Sequence, residues 1–466
     1  MIGPTRPEES PRMMRLNAFD MATPGHIQQG MWRHPRDTAA NYTSLQHWTD
    51  LARLLERGLF DGLFLADVLG IYDVHGGSPD AALRGGVQVP LLDPVLLVPA
   101  MAAVTQNLGF GVTCNLAYEP PYLFARRMST LDHLTGGRIG WNIVTGYLDS
   151  AARALGHDAQ MQHDDRYDLA DEYMQAVYAL WEGSWAGDAV KRDRAGGVYT
   201  DAARVRRIQH GGPQYRIDAI HLAEPSPQRT PVLYQAGASE RGRRFAGTHA
   251  ECVFVNGTNP AVVARLVAQL RAAAAPRSIL VFAGATVVVG RTEAEARDKL
   301  SDYASWASAE GALAHASASL GIDLKKFGMD EPVRAGESQA IRSNVEAMAK
   351  VAGPDWTPRM LLEQSVLGSR QPPIVGDPVQ VADALEGWMR DASVDGFNLS
   401  RTVLPESLVD FIDLVVPVLQ ERGLYKTSYA PGTYREKLFG ADRLLPPGHP
   451  AAAHRWALRQ RCGTSR

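Results

Sequence analysis

Polar side chains stand at the ends of apolar runs along this chain, where a fold can gather them into one pocket. Asp67 follows GLFLA, Thr113 and Asn115 close LGFGVTCN, and Asn142 and Thr145 close the run that starts at Arg138. Taken alone, each is an ordinary cap or turn residue. Collected at one end of a sheet, they line a pocket. His163-Asp164-Asp165-Arg166-Tyr167 opens a helical pattern whose two carboxylates suit the helix dipole. His163 and Tyr167 are four apart, so they share a face. His26 and His315 are isolated histidines, for which satisfied core or surface positions are the ordinary reading.

Gly237-Ala238-Ser239-Glu240-Arg241-Gly242 follows the run PVLYQA. A hydrolase nucleophile elbow needs glycine two positions after its serine, where Arg241 stands, which argues against an esterase. An anion site is the better chemical reading. Backbone N–H groups at a helix start, the Ser239 hydroxyl and the nearby Arg241, Arg243 and Arg244 suit a phosphate. A plain serine cap on an arginine-rich face is the competing reading. The chain carries no Walker A loop, no GxGxxG after a strand, no HExxH and no CxxC pair, so nucleotide folds and zinc chemistry lack their usual signatures.

The elements that must position these residues alternate. Apolar runs at Leu16–Met21, Gly62–Asp67, Leu108–Cys114, Arg138–Val144, Pro231–Ala236, Glu251–Asn256, Ile279–Val289 and Gly396–Ser400 read as strands. Helical patterns separate them, over Tyr42–Arg57, Pro94–Thr105, Pro121–Leu134 and Asp165–Trp181, from near Ser239, Pro260 and Thr292, and over Pro378–Arg390 and Pro405–Arg422. In the first helix Leu45, Trp48, Ala52, Leu55 and Leu59 form a stripe, and Gly58 reads as its stop. Strands apolar on both faces imply a covered parallel sheet. Eight strand–helix units favour a closed (β/α)8 TIM barrel over an open doubly wound sheet. The reading is one domain over residues 14–440, with insertions at about 182–226 and 311–377, after the fourth and seventh helices. The second insertion is read as a lid and the first as either lid or decoration. Residues 441–466 form a C-terminal extension expected to drape over a neighbouring surface.

Length alone, 466 residues, suggests about three domains at about 150 residues each, so the single-domain reading places the surplus in those insertions. Lys plus Arg is 48 and Asp plus Glu 51, a net charge of −3, which gives no reason to expect nucleic acid or an anionic membrane. Three cysteines, Cys114, Cys252 and Cys462, cannot make a disulfide framework, and a cytoplasmic location is expected. The longest apolar run, Leu91–Val104, holds Asp93 and two prolines and is too short to span a bilayer.

The runs LNAFDM (16–21), WRHP (32–35), FDGLFLAD (60–67), STLDHLTGGRIGWNIVTGYLDSA (129–151), HDDRYDLADEY (163–173), EPSPQRTPVLYQAGASERGR (224–243) and GTYREKLFG (432–440) resemble the bacterial-luciferase-like flavin monooxygenases. Within them, the chain is similar to the group of nitrilotriacetate, dibenzothiophene sulfone, dimethyl sulfide and long-chain alkane monooxygenases. The resemblance implies the same barrel, reduced FMN as cofactor with O2 as co-substrate, and a separate NAD(P)H:FMN reductase as partner. It also implies a homodimer or homotetramer. It assigns Asp67, Thr113 and Asn115 to the flavin at strand ends, and His163, Tyr167 and Ser239 to the flavin and its phosphate. His26, Tyr72, Gln88 and His315 resemble substrate-pocket residues of the alkane enzyme that hydrogen-bond or move protons. Thr23 and Tyr147 depart from it, standing where that enzyme has Cys and His. The function implied is oxygenation of a small organic substrate, an organosulfur compound before an alkane. A flavin-binding relative without catalysis is the rival from another class.

Overall fold

The computed structural model describes residues 12–237, 239–333, 356–364, 367 and 372–456. Much of the second insertion, residue 238, and the end of the extension with Cys462 therefore lie outside the described residues. Eight strands, all paired in parallel, form a closed ring: β1 (Arg15–Met21), β2 (Gly62–Ala66), β3 (Gly109–Asn115), β4 (Ile139–Val144), β5 (Val232–Gln235), β6 (Cys252–Val255), β7 (Leu280–Val289) and β8 (Gly396–Ser400). Neighbours in sequence are neighbours in the ring, and β8 closes on β1. All eight predicted strands are present. They read as unbroken apolar runs because one face packs inside the barrel and the other under helices. Leu63, Phe64 and Leu65, successive on β2, are all buried.

Local signals were mostly right. Gly136 and Gly137, with φ of +65° and +83°, turn the chain after the Pro121–Leu134 helix. The Leu45–Arg57 helix buries Trp48, Ala52 and Leu55 but leaves Leu45, its first residue, exposed. Gly58 stops that helix as expected, capping it through its N–H on the Leu54 carbonyl. It keeps a φ of −79°, and Leu59 takes the left-handed conformation instead. Gly58 is small because a Cβ there would lie 2.5 Å from Ile412 Cγ1.

The amino-terminal end of the barrel is plugged. Thr433 and Glu436 form a capping box on the Tyr434–Phe439 helix. The Tyr434 ring fills the space that a Cβ on Gly62 or Gly109, the first residues of β2 and β3, would occupy, and its hydroxyl pairs with that of Tyr234. Arg435, 2% exposed, forks onto Glu251 at 2.7 and 2.9 Å and donates to the carbonyls of Thr230, Pro231 and Arg443.

The first insertion folds as two antiparallel hairpins, Val190–Asp193 with Val198–Thr200 and Ile208–Gly211 with Arg216–Ala219. It connects a helix to the strand after it, so it lies at the amino-terminal end, away from strand carboxyl ends. The start of the second is sharpened. Pro378–Ala392 is the helix that leads into β8 and packs on Pro260–Ala274. Glu293–Trp306 instead leaves from the outer end of β7, where Val287–Val289 pair with Ile374–Gly376. Packing, not local pattern, separates the two. The described start of the second insertion thus lies at the carboxyl-terminal end. The described part of the extension packs on its own barrel, through His449 on the His249 carbonyl and Arg455 on Glu182. Among the described residues, no helix is long and apolar enough to cross a membrane, and no His/Cys/Asp/Glu group could hold a metal ion.

Candidate active site

Ser239 caps the Glu240–His249 helix, its Oγ accepting the Gly242 N–H at 3.0 Å. His163 Nδ1 lies 2.6 Å from Asp164 Oδ1, which fixes the proton on Nδ1 and leaves Nε2 to accept from Ser239 Oγ at 3.3 Å. The His163 ring stands 5.3 Å from the Tyr167 ring, as their four-residue spacing required. Gly237 and Gly242 keep this corner open. A Cβ on Gly237 would strike the Gln235 amide and lie 2.6 Å from the Tyr167 hydroxyl, and one on Gly242 would lie 2.9 Å from the same hydroxyl. The first-turn N–H groups of Glu240 and Arg241 have no partner within the helix. The arginines contribute differently from expectation. Arg241 is held by Asp168 and Asp171 at 2.8 and 2.6 Å and lies over the Tyr167 ring, so it fixes that ring. Arg244 is exposed.

Asp67, Gln88, Thr113 and Asn115 line one cavity of about 510 Å³, with Leu91, Leu92 and Val95 as apolar wall. Asn142 Nδ2 donates to Thr113 Oγ1 at 2.9 Å, while Asn142 Oδ1 is buried without a partner among the described residues. Gly146, with φ +76°, packs against the Asn115 amide, and its carbonyl accepts from Arg166, which joins this group to the His163 helix. Burial, with Asp93 across the cavity, pushes the Asp67 carboxyl up to about 7. The unfolded chain holds that carboxyl near 3.8. Its proton therefore favours the fold in full below about pH 4, and the contribution is lost as pH rises through 7. Asp67→Asn, which never ionises, is expected to melt at higher temperature than the parent, with a larger gain at pH 8 than at pH 5. Calorimetric scans at the two pH values check this.

A hydrogen-bonded string crosses the same mouth. Tyr147 Oη lies 2.7 Å from Tyr72 Oη, Tyr72 donates to Gln88 Oε1 at 2.6 Å, and Gln88 Nε2 donates to the His26 carbonyl at 3.2 Å. Gln88 takes a φ of +52°, held by its N–H on the Gly25 carbonyl. Val87, Ala82, Leu148 and Ala318 pack around the two phenols. Ala318 belongs to the Ala309–Leu320 helix of the second insertion, which also brings the His315 ring to 5.7 Å from Tyr72. That helix is fastened through Ser317 Oγ to His75 Nδ1 at 3.2 Å, and the turn after it through Asp323 to the Gly76 N–H at 2.7 Å.

The predicted residues thus fall into three groups at the carboxyl-terminal end, with Gln88 shared between cavity and string. Sequence reading noted Asn142 without choosing it, and passed over Gln235, which accepts the Gly237 N–H at 2.7 Å. Its place at the end of β5, matching Thr113 on β3, was the available signal. Thr23 is buried in the first loop, whose carbonyls at Thr23 and Pro24 accept from Arg401.

Residues 22–396 match the family described as luciferase-like monooxygenase. A dimethyl-sulfide monooxygenase of Hyphomicrobium sulfonivorans is 48% identical over 447 residues, 94% of this chain and 93% of that one. A long-chain alkane monooxygenase of Geobacillus thermodenitrificans is 47% identical over 450 residues, 95% and 98% of the two chains. The crystal structure of a riboflavin lyase, described with modified FMN and riboflavin, is 38% identical with a TM-score of 0.90, covering 95% of this chain and all of that one.

Proposed function

The chain belongs to the luciferase-like monooxygenase family, and from that premise we propose a two-component enzyme that takes reduced FMN from a separate NAD(P)H-dependent reductase and oxygenates a small organosulfur compound. The corner formed by Ser239, Tyr167, His163 and two obligate glycines carries this reading, because it suits the phosphate of a flavin mononucleotide. The rest of the donor set fits the same group. Asn142 Oδ1 is a buried acceptor lacking a donor, as a flavin ring N–H would supply, and a 510 Å³ cavity is within the range that small ligands occupy.

Bound reduced flavin supplies the electrons that activate dioxygen. The chain's own residues bind and orient. Ser239 and the first-turn amides hold the phosphate, Tyr167 is locked in place by Arg241, and Asn142 with Thr113 sets the ring edge. The Ala309–Leu320 helix, fastened at His75 and Gly76, keeps water from the mouth. Organosulfur substrate is favoured by the 48% identical dimethyl-sulfide relative and by the apolar packing around the phenol pair. An alkane is the second reading, on the 47% identical relative.

Oxygen uptake with FMN, NADH and a generic flavin reductase, screened over sulfides, sulfones, amines and alkanes, tests the proposal. Substrate-stimulated uptake with labelled oxygen in the product is expected. Uptake that no compound stimulates, with no labelled product, sinks it. Ser239→Ala is expected to weaken FMN binding by about tenfold, the worth of one hydrogen bond, as read by flavin fluorescence titration.

A further inference from the structure

The helix whose first turn forms the phosphate corner ends at His249, a residue only 1% exposed. A carboxylate accepts and does not donate, so the proton on His249 Nε2 points to Asp171 Oδ1 at 2.9 Å. Burial outweighs the pull of Asp171 and holds the imidazole below its ordinary pKa, so the ring is neutral and its Nδ1 is bare. That Nδ1 accepts from the buried Tyr178 hydroxyl at 3.1 Å. Both ring nitrogens are thus satisfied in a single tautomer. The His249 backbone is pinned as well. His449, in the C-terminal extension, donates from Nε2 to the His249 carbonyl at 2.9 Å, and its own Nδ1 accepts the Ala451 N–H at 3.2 Å.

Asp171 carries this order outward. Its Oδ2 takes Arg241 at 2.6 Å, and that guanidinium stands 5.5 Å from the centre of the Tyr167 ring. A second route runs through Phe245, whose ring lies 4.7 Å from His249 and 5.5 Å from Tyr167. Asp168, the other partner of Arg241, has a side chain 75% exposed and is the weaker anchor. We infer that Asp171 and His249 are positioning residues for the flavin phosphate, fixing Tyr167 through Arg241 and Phe245 and joining the C-terminal extension to the site. This rests on the reading of the Ser239 corner as a phosphate site.

The test titrates oxidised FMN and riboflavin, which differ by the phosphate, against the parent, Asp171→Asn and Asp168→Asn, read by flavin fluorescence. The parent is expected to bind FMN at least about 100-fold more tightly than riboflavin. Asp171→Asn keeps an acceptor for His249 but turns an amide N–H toward Arg241. The Asp171 side chain is 43% exposed, so the variant keeps the core intact. It is expected to lower the preference for FMN by about tenfold, with riboflavin affinity unchanged. The sign of the change is diagnostic. Either substitution removes a negative charge beside the corner, which by itself favours a phosphate. Asp168→Asn is therefore expected to keep or raise the preference. A preference that Asp171→Asn leaves unchanged or raises overturns the inference, and so does an equal fall in both variants; the phosphate reading then stands. A parent that binds the two flavins alike overturns the phosphate reading and the inference together.

Discussion

Gly237→Ala is expected to weaken FMN binding by at least about 100-fold, or roughly 2.8 kcal/mol, while the melting temperature stays within a few degrees of the parent. The added methyl would meet the Gln235 amide, the Tyr167 hydroxyl at 2.6 Å and the Gly242 Cα at 3.2 Å. Side-chain ends can move aside, but the Gly242 backbone is fixed by the Ser239 cap. The methyl therefore enters the space where a phosphate would approach the helix start. Flavin titration beside a thermal melt separates the two effects. Unchanged affinity would mean that this corner holds no phosphate, whatever else the barrel binds.

Arg435→Leu is expected to cost about 3–5 kcal/mol, because it strands the buried Glu251 carboxylate. Glu251 lies 5% exposed, and it also accepts the Leu233 N–H. The carbonyls of Thr230, Pro231 and Arg443 lose their donor in the same step. A fall of about 3–5 °C in melting temperature should follow for a chain of this length. Replacing Glu251 with Leu as well removes the stranded charge, so the double variant should recover part of the loss. A single variant that melts with the parent would show that the fork contributes nothing net.

The barrel was legible because each strand is a short apolar run bounded by turn residues, a pattern that needs no distant information. GLFLAD and RIGWNIV are recognisable in isolation. What the pattern could not show is which of two helices, 293–306 or 378–392, lies beside the Pro260–Ala274 helix, since only tertiary contacts settle that. The Gly58 stop was legible, but its second constraint was not, because its smallness also answers to Ile412, more than 350 positions away. The site divides in the same way. Asp67, Thr113 and Asn115 were visible as polar ends of apolar strands, and His163 with Tyr167 by helical spacing. The Tyr147–Tyr72–Gln88 string joins three loops, so neither its order nor its direction exists until the loops meet. Arg241 looked like a phosphate ligand because nothing local shows that Asp168 and Asp171 claim it.

The Tyr434 plug sets a timetable for making this protein. Chains leave the ribosome amino-terminus first, at about 5–20 residues per second. β2 and β3 emerge early, yet the floor beneath Gly62 and Gly109 cannot be laid until residue 434 appears, some 325 residues after Gly109. At those rates the ends of β2 and β3 wait for that floor for about 15–65 seconds. Phe64 throughout, and Tyr234 and Phe254 once they are made, lack the ring that covers them. A nascent chain stalled just before residue 433 should therefore hold chaperones that one stalled well beyond residue 440 releases.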